Sequence, residues 1–354
     1  MLGPSPAIWL TRAAASAIAH KVEHEIRSIL IYTDGEVMGD GVLRLPYVAA
    51  LKKHFPSAHI TRLTSDRSVY DSALRSLAAP YFDAALHIDP AMPWRDFLWR
   101  PAALRGQRFD LIIDTQRKFK RSLWLKRIAH RRFASASARF IFSDKKPAKT
   151  ATASPRVLDQ LVALTEAAIG APLPLAPLAL PSPLWAEAAR LALPDGPNYV
   201  GLVVGAGHPS KCWPLERFIA LAEQLSAQNY VPVFFLGPQE HDKLAPIRAA
   251  LPHALVPLSM PSMVDRADPC FTIALAGRLR AAVGNDSGGG HLLAAGGCPI
   301  VSLFRADTVR KKFMPNHAVG LAPEDFLGTR NVMADIPAAA VEKALLDLLN
   351  RSIN

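Results

Sequence analysis

The sequence has few of the features that would assign it to several large classes of protein. Its three cysteines, Cys212, Cys270 and Cys298, are odd in number and widely spaced, which argues against a disulfide framework and a structural zinc site. This usage fits a reducing, cytosolic compartment. No apolar run reaches the roughly 18 to 20 residues that a membrane-spanning helix needs. Residues 1–27 lack the basic start and long apolar block of a signal peptide, so we interpret them as a leader, either a surface helix or disordered.

Several catalytic signatures are also missing. There is no Asp-x-Asp pair, which argues against a metal-dependent nucleotide-sugar site, and there is no Gly-x-Ser-x-Gly elbow or Walker lysine motif. His20 and His24 match the H-x-x-E-H pattern of inverted zinc proteases. They precede the first predicted strand and have no evident third ligand, so we favour a polar helical face and predict no metal site.

Positive charge is present in excess, and the excess is confined to one half of the chain. Residues 1–170 hold 26 Lys and Arg against 15 Asp and Glu, whereas the remaining residues hold 15 of each. This asymmetry indicates an acidic partner for the first half: nucleic acid, an anionic membrane or an acidic substrate. Nucleic acid ranks lowest because no zinc-finger, helix-turn-helix or RNA-binding motif is present. Segment 117–132 predicts a helix whose basic outer face is either merely solvated or contacts lipid headgroups or a phosphorylated substrate.

Apolar strand-like segments alternate with helical segments along the chain. We predict strands at 28–33, 58–64, 84–88, 109–114, 199–204, 231–236, 279–283 and 299–304. We predict helices at 42–54, 69–78, 94–104, 155–169, 215–227, 270–277 and 337–349, and a further helix directly after residues 237–240. This alternation predicts βαβ units and parallel sheets, hence an α/β fold.

Two domains follow from the length and from one proline-rich segment. Five prolines within residues 170–183 are incompatible with a regular helix or a central strand, so this segment is the predicted interdomain linker. The predicted domains are 28–169 and 184–335. The leader 1–27 precedes them, and a C-terminal helix lies within 336–354.

A glycine-rich stretch at 281–299 predicts the end of a strand, a tight turn and the start of a helix. Asp286 and Ser287 are placed to cap that helix. Its free N–H groups would suit a phosphate or diphosphate, although a turn shaped only for packing is the alternative. The loop at 205–214 is a second candidate, in which Gly205 and Gly207 would admit a ligand and Lys211 would supply a cation to a phosphate.

Asp40 lies in a third loop, between a predicted strand and a predicted helix. Its structural role would be to cap that helix, and its chemical role would be that of a general base facing a substrate hydroxyl. A fourth loop follows Asp114. Ligands of open α/β sheets bind outside the carboxyl ends of the strands, so the four loops would line one cleft.

Three motifs, in order, resemble the lipopolysaccharide heptosyltransferases of glycosyltransferase family 9. Residues 38–46 (MGDGVLRLP) resemble the family's Gly-Asp…Leu-Pro motif. Residues 211–214 (KCWP) are similar to its Lys-x-Trp-Pro motif, and residues 285–291 (NDSGGGH) to its Asp-Thr/Ser-Gly-x-x-His motif. The resemblance implies a GT-B fold, with two Rossmann-like domains whose parallel sheets face across a cleft, and an inverting reaction without metal or cofactor.

The resemblance also implies a division of labour between the domains. The first would bind the acceptor, typically the phosphate-rich core attached to lipid A, and the second a nucleotide-diphosphate sugar, typically ADP-heptose. Asp40 would be the general base. The predicted donor-binding residues are Gly205, Gly207, Lys211, Glu240, Asp286, Ser287, Gly288 and His291. The predicted acceptor-binding residues are Gly39, Arg44, Asp114, Gln116, Arg117, Lys118, Lys120 and Arg121.

The sequence departs from the family pattern at three places. It adds about 27 residues before the first predicted strand, and the basic segment 117–132 carries more positive charge than expected for the family. Loop 206–210 differs from the Thr-rich version of the family, which leaves the donor open. Two alternatives therefore stand: a GT-B enzyme that uses another nucleotide sugar, and a non-catalytic protein that binds an anionic glycolipid. We expect a cytoplasmic protein that contacts the cytosolic face of the inner membrane peripherally and does not bind nucleic acid.

Overall fold

The computed structural model describes residues 26–88, 104, 106–148, 154–175, 178–326 and 331–351. The first half holds strands β1 (Ser28–Tyr32), β2 (His59–Thr64), β3 (Ala84–His87), β4 (Arg108–Asp114) and β5 (Ala129–Ser135). Its helices are α1 (Met38–His54), α2 (Arg75–Ala78), α3 (Phe119–Leu125) and α4 (Val157–Ile169).

The second half repeats this alternation. Its strands are β6 (Asn198–Val203), β7 (Tyr230–Phe235), β8 (Leu279–Asn285), β9 (Ile300–Leu303) and β10 (Ala318–Leu321). Its helices are α5 (Leu184–Ala192), α6 (Leu215–Ala227), α7 (Leu244–Ala250), α8 (Pro269–Ala276), α9 (Gly288–Ala295), α10 (Asp307–Phe313) and α11 (Ala338–Arg351). No helix in the described ranges has both the length and the apolar character needed to span a membrane.

Each half is built on one parallel five-stranded sheet. The strand order is β3-β2-β1-β4-β5 in the first sheet and β10-β9-β8-β6-β7 in the second. The central strands are buried along nearly their whole length, as expected for parallel sheets with helices on both faces. The predicted fold class, two Rossmann-like α/β domains, is therefore confirmed.

The strand order fixes where ligands can enter each sheet. The order reverses between β1 and β4 in the first sheet and between β6 and β8 in the second. In open α/β sheets the crevice outside the carboxyl ends of the strands at such a reversal is the usual ligand site. The four loops singled out in the sequence follow these four strands, two at each reversal.

The two halves touch where the first turn of α1 packs on the first turn of α9. A Cβ atom at Gly39 would lie 3.1 Å from Cδ2 of His291, and one at Gly288 would lie 2.6 Å from Cγ of Met38. The absence of side chains at these two glycines lets the helices approach closely. Both helix N-termini therefore lie side by side between the two sheets.

Three predicted helices differ from the observed ones by more than two residues. The helix predicted at 42–54 begins four residues earlier, at Met38, and the helix predicted at 69–78 is a 3₁₀ turn followed by α2. The helix predicted at 117–132 ends at Leu125, and its last part is strand β5. That strand forms an edge of the sheet and is only partly buried at first, so basic residues are tolerated there.

Other predictions have a simpler outcome. Helices α5 and α10 and strand β10 were not predicted, and the predicted helix at 94–104 falls almost wholly outside the described residues. The leader 1–27, with its two histidines, is described only from residue 26. Segment 170–183 holds no helix or strand among its described residues. The domain boundaries themselves stay a prediction.

Candidate active site

A charged network occupies the reversal point of the second sheet. Lys211 Nζ lies 3.3 Å from Asp286 Oδ2, and His291 Nε2 lies 3.4 Å from Asp286 Oδ1. Burial opposes ionisation of Asp286, but its contacts with His291 and Lys211 outweigh burial and hold the pKa of this carboxyl below its ordinary value. The network therefore combines a fixed carboxylate with a lysine that is one-third exposed and can turn toward an anion.

Helix α9 begins beside this network. Ser287 is the N-cap residue, and its Oγ accepts a hydrogen bond of 3.3 Å from the Gly290 N–H. The N–H groups of the first helical turn have no partner within the helix, and they lie at the positive end of its dipole. The predicted helix start is thus present, with Ser287 rather than Asp286 as its cap, and its binding of an anion stays a prediction.

Asn285 holds the two loops of this half together. This residue is 1% exposed; its Oδ1 accepts from the Trp213 N–H at 2.9 Å, and its Nδ2 donates to the Val204 carbonyl at 2.9 Å. The Trp213 indole in turn donates to the Ile336 carbonyl at 3.0 Å. Asn285 was not among the predicted site residues, although an amide at the end of an apolar strand was a visible signal.

Glu240 lies over the loop that follows β6. A Cβ atom at Gly205 would collide with the Glu240 carboxyl group, and one at Gly237 would lie 2.7 Å from its Oε2. Gly205 was predicted to admit the donor, but the space beside it accommodates Glu240 instead. Gly207 faces open space, so the predicted approach of a ligand is possible there.

Asp40 lies on the first-domain side of the contact between the helices. It is the third residue of α1 after the N-cap Val37, so the alternative role as helix cap is excluded. Within the described ranges, no hydrogen bond or ion pair engages its partly buried carboxylate. Its neighbour Gly39, predicted on the acceptor side, touches His291. Asp40 is therefore adjacent in sequence to the point where the two halves meet.

Asp34 organises the loops after β1 and β4. Its Oδ1 accepts from Ser65 Oγ at 2.7 Å and its Oδ2 from Lys118 Nζ at 2.9 Å, while Gln116 Nε2 donates to its backbone carbonyl at 3.2 Å. Burial raises the pKa of the Asp34 carboxyl, but Lys118 and Ser65 outweigh it and keep the pKa low. The structure thus brings together two predicted acceptor residues through an aspartate that sequence reasoning missed.

Two more predicted acceptor residues are held by buried partners. Arg121 Nη2 donates to Ser65 Oγ at 3.4 Å, and its Nη1 is buried without a hydrogen-bond partner among the described residues. Arg44 Nη1 lies 3.3 Å from Oε1 of Glu36, whose side chain is fully buried. Glu36 also accepts from Ser68 Oγ at 3.3 Å. Sequence reasoning missed Glu36 because only the fold brings these groups together.

Asp114 takes a different place from the one predicted. It is 1% exposed, and its Oδ2 accepts from Ser122 Oγ at 2.5 Å and from Ser135 Oγ at 2.7 Å. Its Oδ1 accepts from the Gln116 N–H at 2.9 Å, and burial raises the pKa of its carboxyl. Asp114 is therefore buried and engaged by the loop that carries Gln116, which argues against the predicted contact with the acceptor.

The two remaining predicted acceptor-binding residues lie on the protein surface. Arg117 and Lys120 are exposed at the start of α3. In the part of the chain that the structure describes, no group of three or more His, Cys, Asp or Glu residues is arranged to hold a metal ion.

Comparison with known proteins identifies the family. The model of glycosyltransferase family 9 (heptosyltransferase) matches residues 99–318, more than half of the chain. The chain belongs to glycosyltransferase family 9. It is 24% identical over 286 residues to lipopolysaccharide heptosyltransferase 3 of Escherichia coli, a match that covers 76% of this chain and 81% of that protein. The resemblance seen in the three motifs and the predicted enzyme class, a glycosyltransferase, are both confirmed.

Solved structures of this family have the same architecture. A family 9 glycosyltransferase from Veillonella parvula superposes with a TM-score of 0.65 at 20% identity, covering 93% of this chain and 99% of that one. ADP-heptose lipopolysaccharide heptosyltransferase II of E. coli gives 0.63 at 21% identity, covering 93% and 100%. E. coli heptosyltransferase WaaC, solved with ADP-2-deoxy-2-fluoro heptose, gives 0.62 at 17% identity, covering 90% and 99%. The family 9 chain therefore has the GT-B fold.

Proposed function

We propose that this glycosyltransferase moves heptose from ADP-heptose onto the phosphate-rich core of a lipopolysaccharide, with inversion at the anomeric carbon and without a metal ion. The observation that carries the proposal is the junction of the two reversal points. Asp40 on one side and the Lys211–Asp286–Ser287 group on the other meet at the contact between Gly39 and His291. The relative solved with an ADP-heptose analogue and the lipopolysaccharide heptosyltransferase 3 match support this choice of donor and acceptor.

Asp40 is the proposed general base. It takes the proton of an acceptor hydroxyl while that oxygen attacks the anomeric carbon of the donor. The new carbon–oxygen bond forms on the face opposite the bond to the diphosphate, which breaks, so the configuration inverts. The carboxylate is free of partners among the described residues, so it can accept the proton without first giving up an ion pair.

The leaving nucleoside diphosphate gains negative charge as the bond breaks. Lys211 and the N–H groups of the first turn of α9 are the proposed stabilising groups, because a lysine cation and the positive end of a helix would both attract the charge that develops on the diphosphate. Lys211 would exchange part of its contact with Asp286 for a phosphate oxygen. His291 keeps its contact with Asp286, so that carboxylate is not left unpaired.

The acceptor side is proposed to be the first domain. Four polar side chains border its reversal point: Arg44, Gln116, Lys118 and Arg121. Glu36 pairs with Arg44, Asp34 contacts Gln116 and Lys118, and Ser65 accepts from Arg121. The whole excess of positive charge lies in this half, which suits a phosphorylated acceptor. Because such an acceptor is anchored in lipid, we propose peripheral contact with the cytosolic face of an anionic membrane.

A donor panel tests the proposal. Calorimetry with ADP-heptose, other nucleotide-diphosphate sugars and free ADP is expected to give the tightest binding with ADP-heptose. Heptose transfer to a lipopolysaccharide core lacking heptose should then persist with a chelator present. Turnover with another sugar only would favour a GT-B enzyme with a different donor. Binding of the core without turnover with any donor would favour a non-catalytic glycolipid-binding protein.

A further inference from the structure

Helix α3 and the loop that follows β5 form one continuous surface. The rings of Phe119 and Phe142 lie 5.1 Å apart between centroids, and Lys126 Nζ donates to the Phe142 carbonyl at 2.5 Å. The loop is also fixed from within, because Ser143 Oγ accepts from the Ser135 N–H at 2.8 Å and donates to the Ser135 carbonyl at 2.7 Å. Helix and loop therefore present their outer side chains together.

Three large apolar side chains stand out from this surface. Phe119 is 56% exposed, Leu123 is 45% exposed and Ile141 is 64% exposed. Phe119 and Leu123 are one helical turn apart on the outer face of α3, while Trp124 and Leu125 on its inner face are buried. Ile141 follows three residues with left-handed backbone (138–140), which turn the chain sharply at the surface.

Basic side chains surround these apolar ones. Residues 117–146 contain eleven Lys and Arg but one acidic residue, Asp144, which pairs with Lys126 at 3.2 Å. Five of the basic residues are exposed and, as far as the described residues show, form no ion pair: Arg117, Lys120, Arg139, Lys145 and Lys146. Residues 117–146 thus carry a net charge of +10, compared with +11 for the whole chain. We call Phe119, Leu123, Ile141 and these five residues the α3 surface.

We propose that the α3 surface docks on an anionic lipid bilayer. The three apolar side chains would enter the headgroup region, and the basic ones would contact anionic headgroups, as in interfacial amphipathic helices. The exposed aliphatic side chains of Leu123 and Ile141 favour a bilayer, into which they can insert, over nucleic acid, which is bound through phosphate contacts and aromatic stacking.

Docking here would also orient the cleft. Lys118, one residue before α3, is paired with Asp34, and Asp34 lies on the loop that leads into α1 and Asp40. The α3 surface is therefore continuous with the acceptor side of the site. This step rests on the proposed function, since it needs an acceptor anchored in lipid. It goes further by naming the side chains that contact the membrane.

Vesicle co-sedimentation tests the proposal on the full chain. The probes are vesicles of phosphatidylcholine alone and of phosphatidylcholine mixed with phosphatidylglycerol. The wild type is expected to bind the mixed vesicles and not the neutral ones. Lys145→Gln with Lys146→Gln should lower the partition coefficient by roughly 10- to 30-fold. Leu123→Ser with Ile141→Ser should lower it by roughly 10-fold, because two side chains lose their insertion.

Matched variants on the second domain provide the control. Leu191 and Met263 are 64% and 56% exposed, and Arg248 and Lys312 are exposed basic residues. Leu191→Ser with Met263→Ser, and Arg248→Gln with Lys312→Gln, should bind mixed vesicles as the wild type does. Equal losses in these controls, or unchanged binding in both α3-surface variants, would overturn the assignment. The assignment would also be overturned if the Leu123/Ile141 variant bound mixed vesicles as tightly as the wild type while the Lys145/Lys146 variant did not. The surface would then be a general site for polyanions.

Activity separates this proposal from the function on which it rests. With a delipidated, soluble acceptor, both α3-surface variants should transfer sugar at the wild-type rate, because their changed residues lie outside the cleft. With the same acceptor embedded in mixed vesicles, they should be slower by about the loss in partition. Absence of transfer by the wild type would refute the proposed function and leave the vesicle result standing. Normal vesicle transfer by the variants would refute docking alone.

Discussion

The two domains share one architecture and differ in what their reversal points present. The first presents a carboxylate without a partner among the described residues, Asp40, bordered by cationic side chains that Asp34 and Glu36 hold in place. The second presents a neutralised pair, Lys211 and Asp286, beside a helix start. Its overall charge is balanced, whereas the first half is strongly basic. Under the proposed function, one fold would supply proton removal on one side and leaving-group stabilisation on the other.

The strongest test of this division is Asp40→Asn. Loss of the base should lower kcat by roughly 10²- to 10⁴-fold, the usual contribution of general base catalysis. The donor dissociation constant should stay the same, because the second domain is unchanged. Steady-state kinetics and calorimetry measure both. Asp242→Asn, at a carboxylate whose side chain is 76% exposed, is the control and should behave as wild type. A weakened donor affinity would show that Asp40 also binds the donor.

Asn285→Ala should be the most damaging change to the second domain's stability. It would leave the Trp213 N–H and the Val204 carbonyl buried without partners, which lowers the free energy of unfolding by about 2 to 4 kcal/mol. Denaturant unfolding followed by Trp fluorescence measures this. Asn198→Ala, at an exposed asparagine that begins β6, should change it by less than about 0.5 kcal/mol. Equal values for the two variants would contradict the proposed role of Asn285.

Lys211→Ala should weaken donor binding by roughly 10- to 100-fold, as expected for one hydrogen bond to a charged group. The acceptor KM should hardly change, which is the reverse of a defect in the first domain. Calorimetry with the donor and kinetics at varied acceptor give the two numbers. Lys343→Ala, at a lysine whose side chain is 78% exposed on α11, provides the control. An unchanged donor dissociation constant would remove Lys211 from the site.

The smallest effects concern pH, and here two largely buried aspartates, Asp286 and Asp114, should respond in opposite directions. The pKa of Asp286 is lowered in the folded protein, so its stabilising contribution is complete above the unfolded carboxyl pKa and is lost as pH falls through the folded value. The pKa of Asp114 is raised, so its contribution is present at low pH and is lost as pH rises through the folded value.

Thermal unfolding at a series of pH values measures these contributions. Asp286→Asn should flatten the fall in Tm below about pH 4, near the unfolded carboxyl pKa. In the wild type, ionisation of the buried Asp114 lowers stability above about pH 4. Asp114→Asn cannot ionise, so its Tm should rise more with pH than the Tm of the wild type. Differences of roughly a few degrees are expected. A parallel shift of both variants would refute the opposite signs.

The sequence was most informative where local pattern decides structure. Helix α6 was predicted at 215–227 and is observed at Leu215–Ala227, because its apolar periodicity and the preceding proline are both local signals. The start of α1 was missed since Gly39 and Gly41 are poor helix formers. The structure places Gly41 where a Cβ atom would lie 2.6 Å from Val69 and 2.8 Å from Leu74, so tertiary packing decides that position.

The candidate site shows the same limit. Its motifs were readable because Lys211, Asp286 and Ser287 follow strands that the periodicity reveals. The supporting contacts were not readable, since Lys118 and Asp34 are 84 residues apart, and Trp213 and Asn285 are 72 apart. Asp114 was misplaced for a related reason. The sequence places Asp114 at the end of a strand, but it does not show that Ser122 on α3 and Ser135 on β5 donate hydrogen bonds to its carboxylate.

The close approach of α1 and α9 has a mechanical consequence. When two bodies rotate about a shared contact, points near that contact are displaced least and distant points most. Gly39 meets His291 and Gly288 meets Met38 beside Asp40 and Ser287, so opening of the cleft would displace its outer rim while the distance between Asp40 and Ser287 stays nearly constant. Substrates could then enter and leave without the reacting groups losing their alignment. A larger residue at either glycine would shift the pivot itself and with it the geometry of the reaction.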